Sequence, residues 1–210
     1  MNARTLSAGL AGVGLISLAL GCERENPASR MLASTPAGFS PSFSASASNH
    51  HMRWDIISVD FSTGTLSAGG IASARANDGS EITLTGSGTF RSNPGNPQDV
   101  TGGGTWQTST GSGTYEVIEL VRFEVGPGTP PLPHDNIGNG ADSRAGLLLV
   151  RIAYSDGSEG TLAVSCHLVG TPDAVFEGVT ASKGFVDYWN REAPPAPPGN
   201  ADRTVFHVID

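Results

Sequence analysis

The chain has 210 residues, of which 28 are Gly and 14 Pro, with 38% hydrophobic and only 15% charged residues; this allows one domain of modest size plus unstructured ends and disfavours long helices. Twelve basic side chains stand against twenty acidic ones, and Lys183 is the single lysine. No basic patch can neutralise a row of phosphates or an anionic membrane surface, so nucleic acid is excluded as a partner.

Residues 1–21 read as an export signal: Arg4 near the start, then an uncharged run from Thr5 to Gly21 rich in Leu, Ala and Gly. The run is shorter than the ~20 residues of a spanning helix. Its end, Leu18-Ala19-Leu20-Gly21-Cys22, resembles the lipobox of bacterial lipoproteins, with Ala19 where that family prefers Leu, Val or Ile. The resemblance implies that Cys22 is acylated and becomes the mature N-terminus, anchoring the protein to a membrane of the cell envelope; ordinary secretion or a periplasmic location is the alternative. Cleavage at that point leaves 11 basic against 20 acidic side chains, a formal charge of −9. The other cysteine, Cys166, is then unpaired and expected in the core as a small apolar side chain.

Residues 22–49 are a Ser-, Ala- and Pro-rich stretch with no apolar periodicity, read as a disordered linker. Residues 50–210 form one domain. Short β-branched and aromatic runs broken by Gly, Asn and Asp predict strands at 53–61, 65–76, 81–91, 99–109, 113–125, 146–155, 160–169, 174–181 and 203–209. The string Asp-Gly-Ser-Glu-x-Thr-Leu at 78–84 recurs at 156–162, each copy starting with hairpin-turn residues. Residues 126–145 are too long for a passive connection and are expected to cover or line something. Residues 190–202 carry the chain, extended, to a last strand whose return closes the sheet. The fold class is therefore all-β: an antiparallel meander of eight or nine strands closing into a small barrel.

If the hairpin loop between 146–155 and 160–169 has an odd number of residues, the apolar sets Leu148, Val150, Ile152, Tyr154 and Leu162, Val164, Cys166, Leu168 share one face. The other face gathers Arg151, Ala153, Ala163, Ser165 and His167, and small residues there suggest a hollow barrel interior. Glu119 interrupts an apolar alternation and is an acid in search of a partner. Glu119, Arg151 and His167 are thus the candidate ligand-binding set. Cys166 and His167 are adjacent on a strand, point to opposite faces and cannot form a catalytic dyad; no catalytic residue is assigned.

The acidic loop His134–Asp142 lacks the spacing of a calcium loop and is read as turn chemistry. Gly102-Gly103-Gly104 has no P-loop lysine. No metal or cofactor is expected. Trp54, Trp106 and Trp189 could form a sugar-stacking platform, against burial as the default for Trp.

The stretch Ala174-Val175-Phe176-Glu177-Gly178-Val179-Thr180-Ala181, late in a Gly-rich meander, resembles the small barrels of the allene oxide cyclase and dirigent type. That resemblance implies a barrel and an apolar cavity for a lipid-derived or phenolic ligand. Three readings follow: a surface-tethered binding module for a small apolar or amphipathic ligand, which is favoured; a structural or protein-interaction lipoprotein; and a cofactor-free isomerase or cyclase.

Overall fold

The computed structural model describes residues 49–93, 96–128, 132 and 134–210. The expectations for the export signal, for Cys22 and for nearly all of the linker fall on residues 1–48 and lie outside the described residues.

The described chain is all-β, with thirteen antiparallel strands and one short 3-10 turn, Gly140–Asp142. Strand β1 (His51–Asp60) is followed by β2 (Thr65–Ala68), β3 (Ala72–Arg75), β4 (Glu81–Leu84), β5 (Ser87–Arg91), β6 (Val100–Thr108) and β7 (Gly111–Gly126). After the long loop come β8 (Ser143–Tyr154), β9 (Glu159–Cys166), β10 (Gly178–Lys183), β11 (Val186–Tyr188), β12 (Asn190–Arg191) and β13 (Arg203–Val208). Six of them close a ring, β8-β13-β1-β5-β6-β7 and back to β8. Of the other seven, β9, β10 and β11 continue from β8, β4, β3 and β12 continue from β6, and β2 pairs with β1.

Two expected strands are each divided, and a close contact at a glycine marks both breaks. At Gly70 a Cβ would stand 1.8 Å from the Ile57 carbonyl oxygen, and at Gly86 one would stand 2.1 Å from the Tyr115 hydroxyl. Backbone at the first and a tyrosine side chain at the second occupy the space a side chain needs, and 65–76 becomes β2 and β3, 81–91 β4 and β5. The expected strand 174–181 begins only at Gly178, and part of the stretch read as an extended connection forms β12.

The barrel is filled, not hollow. Trp54, Phe90, Leu148, Val150, Ile152, Leu162, Val164 and Phe206 are all at most 1% exposed and belong to one apolar cluster. Phe123 is wedged between Phe90 and Phe206, with ring centroids 4.7 and 5.2 Å away. A Cβ on Gly88 would come within 2.7 Å of the Trp54 indole nitrogen, so the glycine-rich face of β5 and β6 is where Trp54 lies flat on backbone. Each large side chain enclosed removes apolar area from water at ~25 cal/mol per Å². That gain places the large set of β8 on the inner face of the ring, and the facing set of β9 continues the same buried core.

A smaller cluster covers the outer face of β1 and β13. Ile57, Leu66 and Val205 pack there beneath Val59, Leu132 and Ile137. Leu132 and Ile137 come from the long loop, which therefore lies against the outside of the barrel.

Candidate functional site

The sequence placed Glu119, Arg151 and His167 together. The structure brings the first two together and separates the third. Glu119 faces Arg151 across β7 and β8, and the guanidinium donates to Glu119 at 3.0 Å and to Glu159 at 2.8 Å. This trio lies on the outer face, with the Arg151 side chain 47% exposed. The face carrying Arg151, Ala153 and Ala163 is external because the larger apolar set fills the interior. His167 lies just past the end of β9, away from that trio.

The surroundings of His167 are set by a fork. β13 pairs with β8 only at Ser143 and Arg144, whereas β9 takes the same edge of β8 from Gly146 to Ala153. Where β9 and β13 diverge, the Thr204 hydroxyl donates to the Ser165 carbonyl at 2.6 Å, but the next backbone donors need other partners. Glu177 supplies them: its carboxylate accepts the His167 N–H at 2.5 Å and the Thr204 N–H at 2.6 Å. Burial pushes this carboxyl up to about 7, against the two backbone donors and the nearby Arg203 charge, which favour its ionised form.

Beside the fork opens a pocket of about 350 Å³. Its walls are Ile57, Val59, Leu66, Leu132 and Leu168, and its polar end is formed by His167, Glu177, Arg203 and Thr204. His167 Nδ1 lies 2.8 Å from the Val175 carbonyl oxygen, which can only accept. Nδ1 is therefore the donor in that contact. The Arg203 guanidinium stacks 4.8 Å from the Phe61 ring and donates to the Pro195 carbonyl. It forms no ion pair among the described residues, and its buried Nε has no hydrogen-bond partner. Cys166 is fully buried, with its thiol pushed well up by burial and the neighbouring Glu177.

The loop that supplies Leu132 is pinned. Leu66 exchanges backbone hydrogen bonds with His134 and Asn136 at 3.0 Å each. Asp135 accepts the Ile137 and Gly138 N–H groups with one oxygen, and with the other accepts from His207 Nε2 at 2.6 Å. Both side chains of that pair are essentially buried. A Cβ on Gly138 would stand 2.9 Å from the His207 ring, so the loop backbone lies directly on the imidazole. Asn139 accepts from Ala141 and caps the 3-10 turn. Beneath the loop, Arg53 holds Asp55 by two bonds of 2.7 Å.

Sequence reasoning missed Glu177 and Arg203. The only sign of the first was an acid in the string Phe176-Glu177-Gly178-Val179, and nothing local marks the second. Among the described residues no group of three His, Cys, Asp or Glu side chains is arranged to hold a metal ion. No family model, curated protein or solved structure matches the chain.

Proposed function

We propose that the domain is a binding module for a small amphipathic ligand with an oxygen-bearing head, held in the pocket beside the β9–β13 fork. The observation that carries this reading is a cation without an ion-pair partner among the described residues, Arg203, at the polar end of an apolar pocket of about 350 Å³. That volume falls within the ~300–1,000 Å³ of small-molecule sites. A carboxylate or hydroxyl on Arg203, with an apolar body along Leu66, Leu132 and Leu168, satisfies both halves of the pocket. An enzymatic role is less well supported, because both Glu177 oxygens are already engaged by backbone donors, which leaves the acid little freedom to move a proton to a ligand.

The lipobox-like Leu18-Ala19-Leu20-Gly21-Cys22 supports placing this module on an envelope membrane through a lipid on Cys22. Isothermal titration of the full chain with dodecanoate and dodecanol tests the binding reading. Saturable binding of dodecanoate, weakened about tenfold by Arg203→Met, is expected. Absence of saturable binding for both ligands contradicts it. Metabolic labelling with radioactive palmitate tests the anchor: label is expected in the wild type and absent from Cys22→Ser, and an unlabelled wild type contradicts it.

A further inference from the structure

Of the three tryptophans, Trp54 and Trp106 are buried, whereas Trp189 is half exposed. Its indole N–H donates to the Asn77 side-chain oxygen at 3.1 Å, which fixes the ring at the surface. Phe185 is fully exposed at the tip of the β10–β11 hairpin, next to the turn glycine Gly184 at φ 59°. Nothing in the packing requires a phenyl ring there, and it gains weight from the second exposed ring, Trp189, which lines the same cleft. Tyr188 is buried, Asp187 and Trp189 flank it on the exposed side, and Phe185 stands in the turn just before β11. Both rings line one cleft, with Asp187 between them in sequence. Asn77 and Asp78 form the opposite wall of a shallow cleft of about 380 Å³. This cleft shares no residue with the pocket beside the fork.

We propose that this cleft is a second binding site, for a chain of neutral sugars. Sugar rings present C–H faces that pack flat on aromatic rings, and hydroxyls that donate to carboxylates. Asp187 makes no hydrogen bond or ion pair among the described residues. Asp78 uses only one oxygen, on the Ser80 N–H and hydroxyl. The Asn77 amide NH₂ group remains as a donor. Charge selects among ligands: the cleft lining holds two carboxylates and no cation, on a chain of formal charge −8, which opposes anionic polymers and anionic lipid surfaces. A small organic cation is normally boxed by rings on several sides. Here two rings and two carboxylates line one open cleft, which suits a hydroxyl-rich ligand.

The test is a calorimetric titration of the full chain with cellohexaose, chitohexaose and mannohexaose, whose heat signal reads the Trp189 variants and the wild type alike. Saturable binding of at least one hexaose is expected, weakened about tenfold or more in Phe185→Ala and Trp189→Ala and retained in Trp189→Phe. Asp187→Asn, a surface change that leaves the fold alone, should also weaken it. The proposal is overturned if none of the three sugars binds saturably, if the variants bind as the wild type does, or if phosphocholine or anionic vesicles bind in their place.

Discussion

The carboxylate of Glu177 accepts the backbone N–H of Thr204 at 2.6 Å, and in doing so stands in for the strand partner that β13 loses where it parts from β8. One side chain thus closes the fork and forms part of the pocket wall. The buried acid and the pocket are consequences of the same irregularity in the sheet.

This placement makes stability depend on pH in a definite direction. The Glu177 carboxyl has an ordinary value of 4.5 and is pushed up to about 7 in the folded protein. Between those values the folded state holds a proton that the unfolded chain has released, so this group's contribution is greatest below 4.5 and is lost as pH rises towards 7. The full difference corresponds to about 3 kcal/mol, reduced to roughly 2 kcal/mol because the residue is partly exposed at the pocket wall. Urea unfolding across pH 4.5–7 should show the wild type losing stability relative to Glu177→Gln, whose side chain does not titrate. Parallel curves for the two proteins contradict this account.

The pin between Asp135 and His207 makes a separate prediction. Removing the acid leaves a buried imidazole with neither nitrogen paired, since Nδ1 already lacks a partner. Asp135→Ala should cost about 3 kcal/mol in denaturant unfolding and expose the loop around Leu132 to protease. A cost below about 0.5 kcal/mol, with the loop still resistant, would show that the apolar contacts of Leu132 and Ile137 hold it without the pair.

Interior and exterior positions on β8 should respond differently. Ile152→Ala removes a side chain with no exposure from the filled barrel and should cost about 2–5 kcal/mol. Arg151→Met and Glu119→Gln change an exposed cluster, and each should leave the midpoint of thermal unfolding within about 2 °C of the wild type. A large drop for Arg151→Met would place that guanidinium in a buried role that its exposure contradicts.

Alternation and turn chemistry made the antiparallel barrel readable from sequence, including the facing of Leu148 with Val164 and of Val150 with Leu162. The twin hairpins at Asp78 and Asp156 were readable too: each aspartate accepts from the N–H and hydroxyl of the serine two residues on. Which face lies inside was not readable, because small residues on a strand fit a hollow interior and a solvent face equally well. That choice depends on the volume the ring encloses. The pocket was hidden for a similar reason. It exists only where β13 and β9 share one edge of β8, a pairing between distant segments, and its polar groups come from His167, Glu177 and Arg203 on three separate stretches. Only His167 stood out locally.

The barrel interior is packed solid, and the proposed ligand site lies outside it, beside the fork. Chemical-shift mapping of the full chain titrated with dodecanoate tests this most directly. The prediction is saturable shifts centred on Leu66, His167, Leu168 and Arg203, with Leu148, Ile152 and Leu162 unmoved. Shifts centred on those three interior side chains, or no shifts at all, would contradict it.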